Sequence, residues 1–555
     1  MNIACKLSTS VQRCRDFPVG RCLRGPWFIF LLILLVGGQT AGQCLAIEDE
    51  YGPSTFRWPT CSREADSQTI SFVHVADVHA RYNPAPDGSS PLARVRGFVE
   101  QVRRENPFTV FTNAGDDYEK GSIAEELSQG RTTRQVVQAV QYDVRTLGNH
   151  DFAWGLAELL AFSHDPQAVV VAANTKMSGS GSGWVDYAEL SVGCVRIGFF
   201  GLVSRPWNAK DEQYEGPFYA DRPELRSDFD YLAIANEIIA RHRQEVDLLV
   251  LVSHLGLPED IALAEQTRGI DLILGGHTHS MMTESLRVND TTIIHAGAYA
   301  EKIGRFDLDF DLRDKRITAG RFVLVDNREG ETPVHAQLDR EVQRILAPFQ
   351  EAIRADFASI SAGQSKKNMA LIAARAAVET LGADAAFVSG HAAWKEWQTG
   401  GLTQQDILDA FPVEREPAGH PGFSSLYLIR GTGTDLLRAG TALSGFAYWG
   451  PTTIDPAAEY TIAIQKPQAL HQQEYFGREI GLAPPDHAAE LWEAVVAFGR
   501  GRRAESLSLD AEAGGAEGLA LVAFLPMAVR RSAAKTEGPG LSVLEQAGLP
   551  DITPQ

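Results

Sequence analysis

The chain has 555 residues, with 71 acidic against 51 basic side chains and a formal charge of −20. That length exceeds one ordinary hydrophobic core and requires two or more domains. A composition 44% hydrophobic and 22% charged is that of a folded globular protein, and the acidic balance excludes nucleic acid or an anionic membrane as the main partner.

Residues 1–46 stand apart from the rest. Lys6, Arg13, Arg15, Arg21 and Arg24 precede an unbroken apolar run at 27–36, and a small, polar stretch follows to Ala46. A basic start, a short apolar centre and a cleavable end predict an export signal over 1–46, with a periplasmic or extracellular destination. The apolar run is about half of the ~20 residues a spanning helix needs. An uncleaved signal anchor is the alternative, and the only membrane attachment this reading allows. Losing the leader removes five cations and one acid, Asp16, which takes the charge to −24. Four cysteines lie in the leader; Cys61 and Cys194 remain. Two cysteines do not make a disulfide framework; two separate buried thiols are expected, with pairing after export as the alternative.

Short apolar runs then alternate with helical patterns. Strands are expected at 70–76, 109–113, 169–173, 195–203, 248–252, 272–274 and 292–295, and helices at 92–105, 134–141 and 231–243. This alternation, from Thr69 to Phe310, predicts an α/β domain. Nearly every expected strand ends in a metal-type donor. Asp77 and His79 follow the first, Asp116 the second, and Asn149, His150 and Asp151 follow 144–147; Asn174, His254, and His277 with His279 follow later ones. In open α/β sheets the ligand crevice lies at the carboxyl ends of the strands, so these residues should meet there. Each motif alone has a structural reading as a turn or cap; their repetition after successive strands favours a site. His74 reads as a hydrogen-bonded core histidine, His295 as core or support to the site, and Asp117 as solvent-facing.

Seven donors, Asp77, His79, Asp116, Asn149, His254, His277 and His279, exceed the three protein ligands of a single catalytic zinc and suit two ions. Nitrogen and oxygen donors without thiolate fit Mn, Zn, Fe or Ni. In Asp271-Leu-Ile-Leu-Gly-Gly-His277-Thr-His279 the glycines are expected to let the backbone turn and approach closely.

The order Asp77-x-His79, Gly115-Asp116, Gly148-Asn149-His150-Asp151, His254 and Gly276-His277-x-His279 resembles the calcineurin-like metallophosphoesterases, and its details resemble the 5'-nucleotidase branch. The resemblance covers 68–325 and implies there a catalytic domain built as a sandwich of helices around β-sheets. It places one ion on Asp77, His79, Asp116 and His279, and the other on Asp116, Asn149, His254 and His277. It also implies attack by metal-bound hydroxide, with His150, oriented by Asp151, stabilising the transition state or protonating the leaving oxygen.

A helix at 333–362, interrupted at Pro348, is expected to link this domain to a smaller α/β C-terminal domain over 363–505, where Leu402 to Pro412 and Tyr460 to Ile464 are similar to the 5'-nucleotidase C-terminal domain. Its usual arginine loop is replaced by Ser389-Gly-His-Ala-Ala-Trp394, so no substrate-binding residue carries over. Trp394, Trp397, Lys395 and Arg415 are candidates, with packing or solvated surface as the other reading. Residues 506–555 show little pattern. The functional expectation is an exported two-metal phosphoesterase acting on a small phosphorylated substrate, foremost a nucleotide. The alternatives are a phosphomonoesterase, a 2',3'-cyclic phosphodiesterase or a sulfur-ester hydrolase on the same centre, or a non-catalytic ligand-binding surface protein.

Overall fold

The computed structural model describes residues 58–61, 65–179, 181–208, 213–214, 218–219, 222–415, 424–443, 445–481 and 488–511. The expected export signal, and the tail from 512 onward, lie outside the described residues.

Two six-stranded sheets form the N-terminal part. The first runs Arg316–Asp326, Lys302–Asp311, Ser67–Val75, Thr109–Asn113, Val144–Thr146, Val169–Val171 in spatial order. The second runs Leu286–Val288, Thr291–His295, Leu272–Gly275, Leu248–His254, Val195–Val203, Tyr187–Val192. The four central strands of the second sheet are parallel to one another, as are the last four of the first. Parallel strands open their carboxyl ends on the same edge, so every donor that follows one of them is delivered to that edge.

The period-2 alternation of strand side chains divides each strand between two cores. Ile70, Phe72 and Val110 meet Ile197, Phe199, Val250 and Leu274 between the sheets. Val73, Val75 and Phe111 face outward to the helices Pro91–Glu105 and Arg131–Val140. The helices Tyr231–His242 and Leu257–Gln266 cover the second sheet through Ala235, Ile238 and Leu263. The result is the expected layered sandwich, helix on sheet on sheet on helix.

Cys61 and Cys194 form a disulfide, which corrects the expectation of two separate thiols. They lie 133 residues apart in sequence, and spacing alone could not reveal that the segment before the first strand crosses to the Val192 to Val195 turn of the second sheet.

The linking segment is helical in pieces, Ala336–Leu346, a single turn at Ala347–Phe349, and Gln350–Arg354, with the break at Pro348. Beyond it lies a four-stranded sheet in the order Leu426–Thr432, Glu459–Gln465, Ala385–Ser389, Phe446–Trp449. One face packs on helix Gly433–Ala442, the other on Lys366–Leu381 and Leu491–Ala504. The expected boundary at 505 moves. Leu509 is fully buried and its N–H donates to Ser359 O, while Asp510 accepts from the N–H groups of Ser361 and Ala362, so residues 506–511 belong to this packed unit.

The C-terminal part reaches the site edge through helix Gln404–Ala410, whose first turn carries a Thr403/Asp406 capping box. Gln405 uses its whole amide there. It accepts from Asn83 Nδ2 (2.8 Å) and Ile123 N (2.7 Å), and donates to Gly121 O and Asp409 Oδ1 (2.8 Å each). Among the described residues no helix is long and apolar enough to cross a membrane.

Candidate metal centre

Six of the seven sequence-identified donors gather into two groups at the shared edge. Asp77, His79 and His279 form one, Asp116, His254 and His277 the other, with the donor atoms of each group within 4.8 Å of one another. Asp116 lies between them, its Oδ2 3.0 Å from His254 Nε2 and 3.9 Å from His79 Nε2. Asn149 occupies the turn whose next residue, His150, donates its N–H to Asp116 Oδ1 at 2.8 Å; the Asn149 Oδ1 accepts from Ser204 Oγ at 2.9 Å.

The backbone at this edge is strained. Asp77, His79, Asp116, His277 and His279 all have φ between 48° and 76°. That left-handed region costs a non-glycine residue about 1 kcal/mol or more, and such outliers cluster at functional sites. The turn in DLILGGHTH is therefore made by the histidines themselves, not by the glycines as expected. Gly276 permits close approach instead, since a Cβ there would stand 3.0 Å from Asp77 Oδ2. Gly148 is more constrained, with a Cβ meeting Asp116 Oδ1 at 2.1 Å.

Two observations fit this donor set to cations. His79 Nδ1 donates to Tyr118 O (3.0 Å) and His254 Nδ1 to Ala114 O (2.6 Å). Each ring's outer nitrogen is thereby left as a lone-pair donor, the tautomer arrangement usual for metal-ligating histidines. Those outer nitrogens meet other electron-rich atoms. His79 Nε2 is 3.1 Å from His279 Nε2, and the buried His254 Nε2 stands 3.0 Å from Asp116 Oδ2. Burial keeps the imidazoles uncharged, His277 pushed down to about 3 and His279 to about 4, with His254 adding to both. Burial also opposes charge on His254, but Asp116 outweighs it and holds that ring at about 9, so the pair attracts one positive charge. Ligation requires neutral imidazoles and ionised carboxylates, and a bound cation reverses the burial that otherwise lifts Asp77 to about 7.

Several neighbours differ from expectation. Asp117 is fully buried, not solvent-facing; its Oδ1 accepts from Asn113 Nδ2 at 2.9 Å, and burial followed by the Asp151 carboxylate raises it to about 8. Asp151 does not orient His150. Its oxygens accept the N–H groups of Gly148 (2.7 Å), Asp116 (3.1 Å) and Asp117 (2.8 Å), so it builds the loop that carries the ligands. The group on His150 Nδ1 is Glu119. His74 is a core histidine as expected, between Thr112 Oγ1 and Gly275 O. His295 pairs with Asp260, which also takes the Ser253 hydroxyl beneath His254. Asn174 is structural, bonding both backbone groups of Val203.

Sequence reasoning missed Glu119, Lys120 and Tyr299. Tyr299 lies 5.0 Å from the His279 ring and 5.5 Å from the His79 ring, centroid to centroid. Lys120 is paired with Glu414 at 2.7 Å and stands 5.7 Å from the Trp394 ring centroid. No motif marks these residues, although Lys120 directly follows the acidic Asp116 to Glu119 stretch. Of the four C-terminal candidates, Trp397 is buried against Phe411, Lys395 is an exposed partner of Asp409, and Arg415 is bidentate to Glu126. Trp394 is 44% exposed, and with Ser389, His391, Glu414 and Gln468 it lines a cavity of about 210 Å³.

Glu125 lies beneath this region, accepting from Glu119 N and Trp154 Nε1 at 2.8 Å each. Burial, then the neighbouring Glu126, raises it from 4.5 to about 8. The folded protein thus holds a proton that the unfolded chain releases. The stability this group contributes is complete below about pH 4.5 and is lost as the pH rises to about 8. Glu125→Gln keeps the accepting oxygen and should be more stable than the parent at pH 8 by roughly 1–3 kcal/mol, with little difference at pH 4.5. Thermal midpoints of both proteins across that range would check this.

The calcineurin-like phosphoesterase profile matches residues 70–281, the stretch that supplies all seven donors. Residues 70–281 are a calcineurin-like phosphoesterase domain. The chain is 28% identical over 307 residues to rat 5'-nucleotidase, 49% of this chain and 51% of that protein. It spans about half the length of the curated relatives it matches. A 5'-nucleotidase precursor from Thermus thermophilus superposes with a TM-score of 0.57 at 18% identity, over 78% of this chain and 96% of that one. A sulfate thiohydrolase from the same organism gives 0.56 at 16% identity, over 78% and 94%. The fold of this phosphoesterase domain and its C-terminal partner is therefore that of the 5'-nucleotidase structures.

Proposed function

We propose that the chain is an exported two-metal phosphoester hydrolase whose foremost substrates are nucleotides. The observation that carries this reading is Asp116, a buried carboxylate of one three-residue donor group that stands 3.0 Å from His254 of its own group and 3.9 Å from His79 of the other. Asp77, His79, Asp116 and His279 would hold one divalent ion, and Asp116, Asn149, His254 and His277 the other. When bound, two such ions supply Lewis acidity to the phosphoryl oxygens and acidify water. The phosphoesterase domain and its 5'-nucleotidase relatives support the reaction class.

The chain's own residues supply the remainder. His150, whose ring centroid lies 5.0 Å from that of His79, would pass a proton to the leaving oxygen. Tyr299 and the His279 ring wall one side of the gap, and the cavity beside Trp394 offers a flat aromatic face to the organic half of the substrate. Export rests on the leader at 1–46 and on the Cys61–Cys194 disulfide, a bond that persists in oxidising compartments. The division into 68–325, 333–362 and 363–505, the last extended to 511 by the packing of Leu509 and Asp510, would serve this function by bringing the cavity-bearing second domain against the loop that follows Asp116, through Lys120–Glu414 and Glu119–Arg415.

The test is turnover by metal-reconstituted protein of AMP, ADP, UDP-glucose, cyclic 2',3'-AMP, p-nitrophenyl phosphate and a sulfur ester, beside His150→Ala. We expect nucleotide hydrolysis that falls ~10²–10⁴-fold in the variant. Equal turnover of the simple ester and the nucleotides would sink the nucleotide claim. No turnover with both ions bound would sink the enzyme claim.

A further inference from the structure

His150 sits on the single turn His150–Phe152, and its neighbour Asp151 has both oxygens committed to backbone N–H groups. The ring's Nδ1 is instead engaged by Glu119 Oε2. Glu119 is fully buried and is gripped from two sides. Its own N–H donates to Glu125 Oε1 at 2.8 Å, and its second oxygen, Oε1, accepts the backbone N–H of Arg415 at 2.5 Å. Arg415 comes from the C-terminal part, 296 residues away. Its guanidinium is fixed in turn, 2.8 and 2.6 Å from the two oxygens of Glu126, and 4.0 Å from the Trp154 ring centroid. The adjacent pair repeats the contact, Lys120 to Glu414.

Glu119 and Lys120 have φ of 69° and 63°, two successive left-handed residues. The chain does not hold such a conformation without surrounding contacts that over-determine it. Here two of those contacts come from Glu414 and Arg415.

The geometry points to Glu119 as the residue that positions His150, with the C-terminal part acting on the reaction by clasping that carboxylate. This rests on the proposed phosphoester hydrolysis and deepens it. The C-terminal part contributes to turnover through the Arg415 N–H and the Arg415–Glu126 fork, and its docking is what completes the histidine's orientation. A histidine held by a carboxylate on Nδ1 keeps its other nitrogen aimed at the reacting group.

The experiment compares Glu119→Ala, Glu119→Gln and Arg415→Met with the parent, alone and in a His150→Ala background, all as full chains with metal content measured. AMP has a strongly basic leaving oxygen and p-nitrophenyl phosphate a weakly basic one. Loss of proton delivery should lower kcat for AMP by ~10²-fold or more in Glu119→Ala and by under ~10-fold for the aryl ester. Glu119→Gln should retain part of the activity, and Arg415→Met should lose AMP turnover selectively but less severely. In the His150→Ala background Glu119→Ala should add no further loss, as expected of two groups acting as one unit. Losses that multiply, or that fall equally on both esters, would overturn the proposal.

Nitrogen NMR of labelled histidines reads the contact without turnover. The His150 Nδ1 resonance should move in Glu119→Ala while that of His74 stays. An unmoved His150 resonance overturns the positioning role. A His150 resonance that moves as expected in Glu119→Ala, beside a metal-loaded parent that hydrolyses neither ester, overturns the proposed function instead.

Discussion

Asp116→Ala should cost both ions and at least ~10³-fold in kcat/KM, the largest loss from any single substitution in the chain. Removing a group that only supports a ligand already costs ~10–100-fold in affinity or activity, and Asp116, a member of one donor group that stands 3.9 Å from His79 of the other, is the carboxylate proposed to serve both ions. It also accepts the His150 N–H at 2.8 Å, so the turn bearing the proposed proton donor loses its anchor. Two further variants separate the groups. His279→Ala should empty mainly the position shared with Asp77 and His79, and His277→Ala the one shared with Asp116 and His254. Metal content per chain by mass spectrometry, read beside kcat/KM, is the measurement. Retention of both ions in Asp116→Ala would show that the two groups do not share a bridge.

The second large effect lies at the opposite edge of the molecule. Cys61→Ser with Cys194→Ser should lower stability by about 2–5 kcal/mol, seen as a fall in thermal midpoint, while kcat is unchanged. The disulfide closes a loop of 133 residues and joins the segment before the first sheet to a turn of the second. Its surroundings repeat that crossing. Gln68 of the first sheet donates to Val192 O at 2.7 Å and accepts from Cys194 N at 2.8 Å, while Trp58 Nε1 donates to Thr109 O at 2.8 Å and ties the leading segment to the first sheet. These bonds sit at the amino end of Ser67–Val75, a strand length away from Asp77. Equal midpoints with and without reductant would show that the sheets need no such tie.

The sequence by itself determined the scaffold and the donors. Alternation along the strands is a local property, and a donor written just after a parallel strand is carried to the carboxyl edge by covalent geometry alone. Asp77, Asp116, Asn149, His254 and His277 are therefore legible as a group although 200 residues separate the first from the last. Thr109–Asn113 and Val195–Val203 lie where their apolar runs predict. The tertiary structure decided which groups serve those donors. Asp151 is next to His150 in sequence, yet three backbone N–H groups claim it, and Glu119, 31 residues earlier, takes the ring. Asp117 is hidden by the same loop, and Cys61 finds Cys194 across two sheets. These outcomes depend on where turns of left-handed backbone send their side chains and on which distant segment closes over them. Neither is written in the period of a strand or the spacing of a motif. Residue order along a strand fixes what reaches the edge; the packing of loops from two parts of the chain fixes how each group there is held.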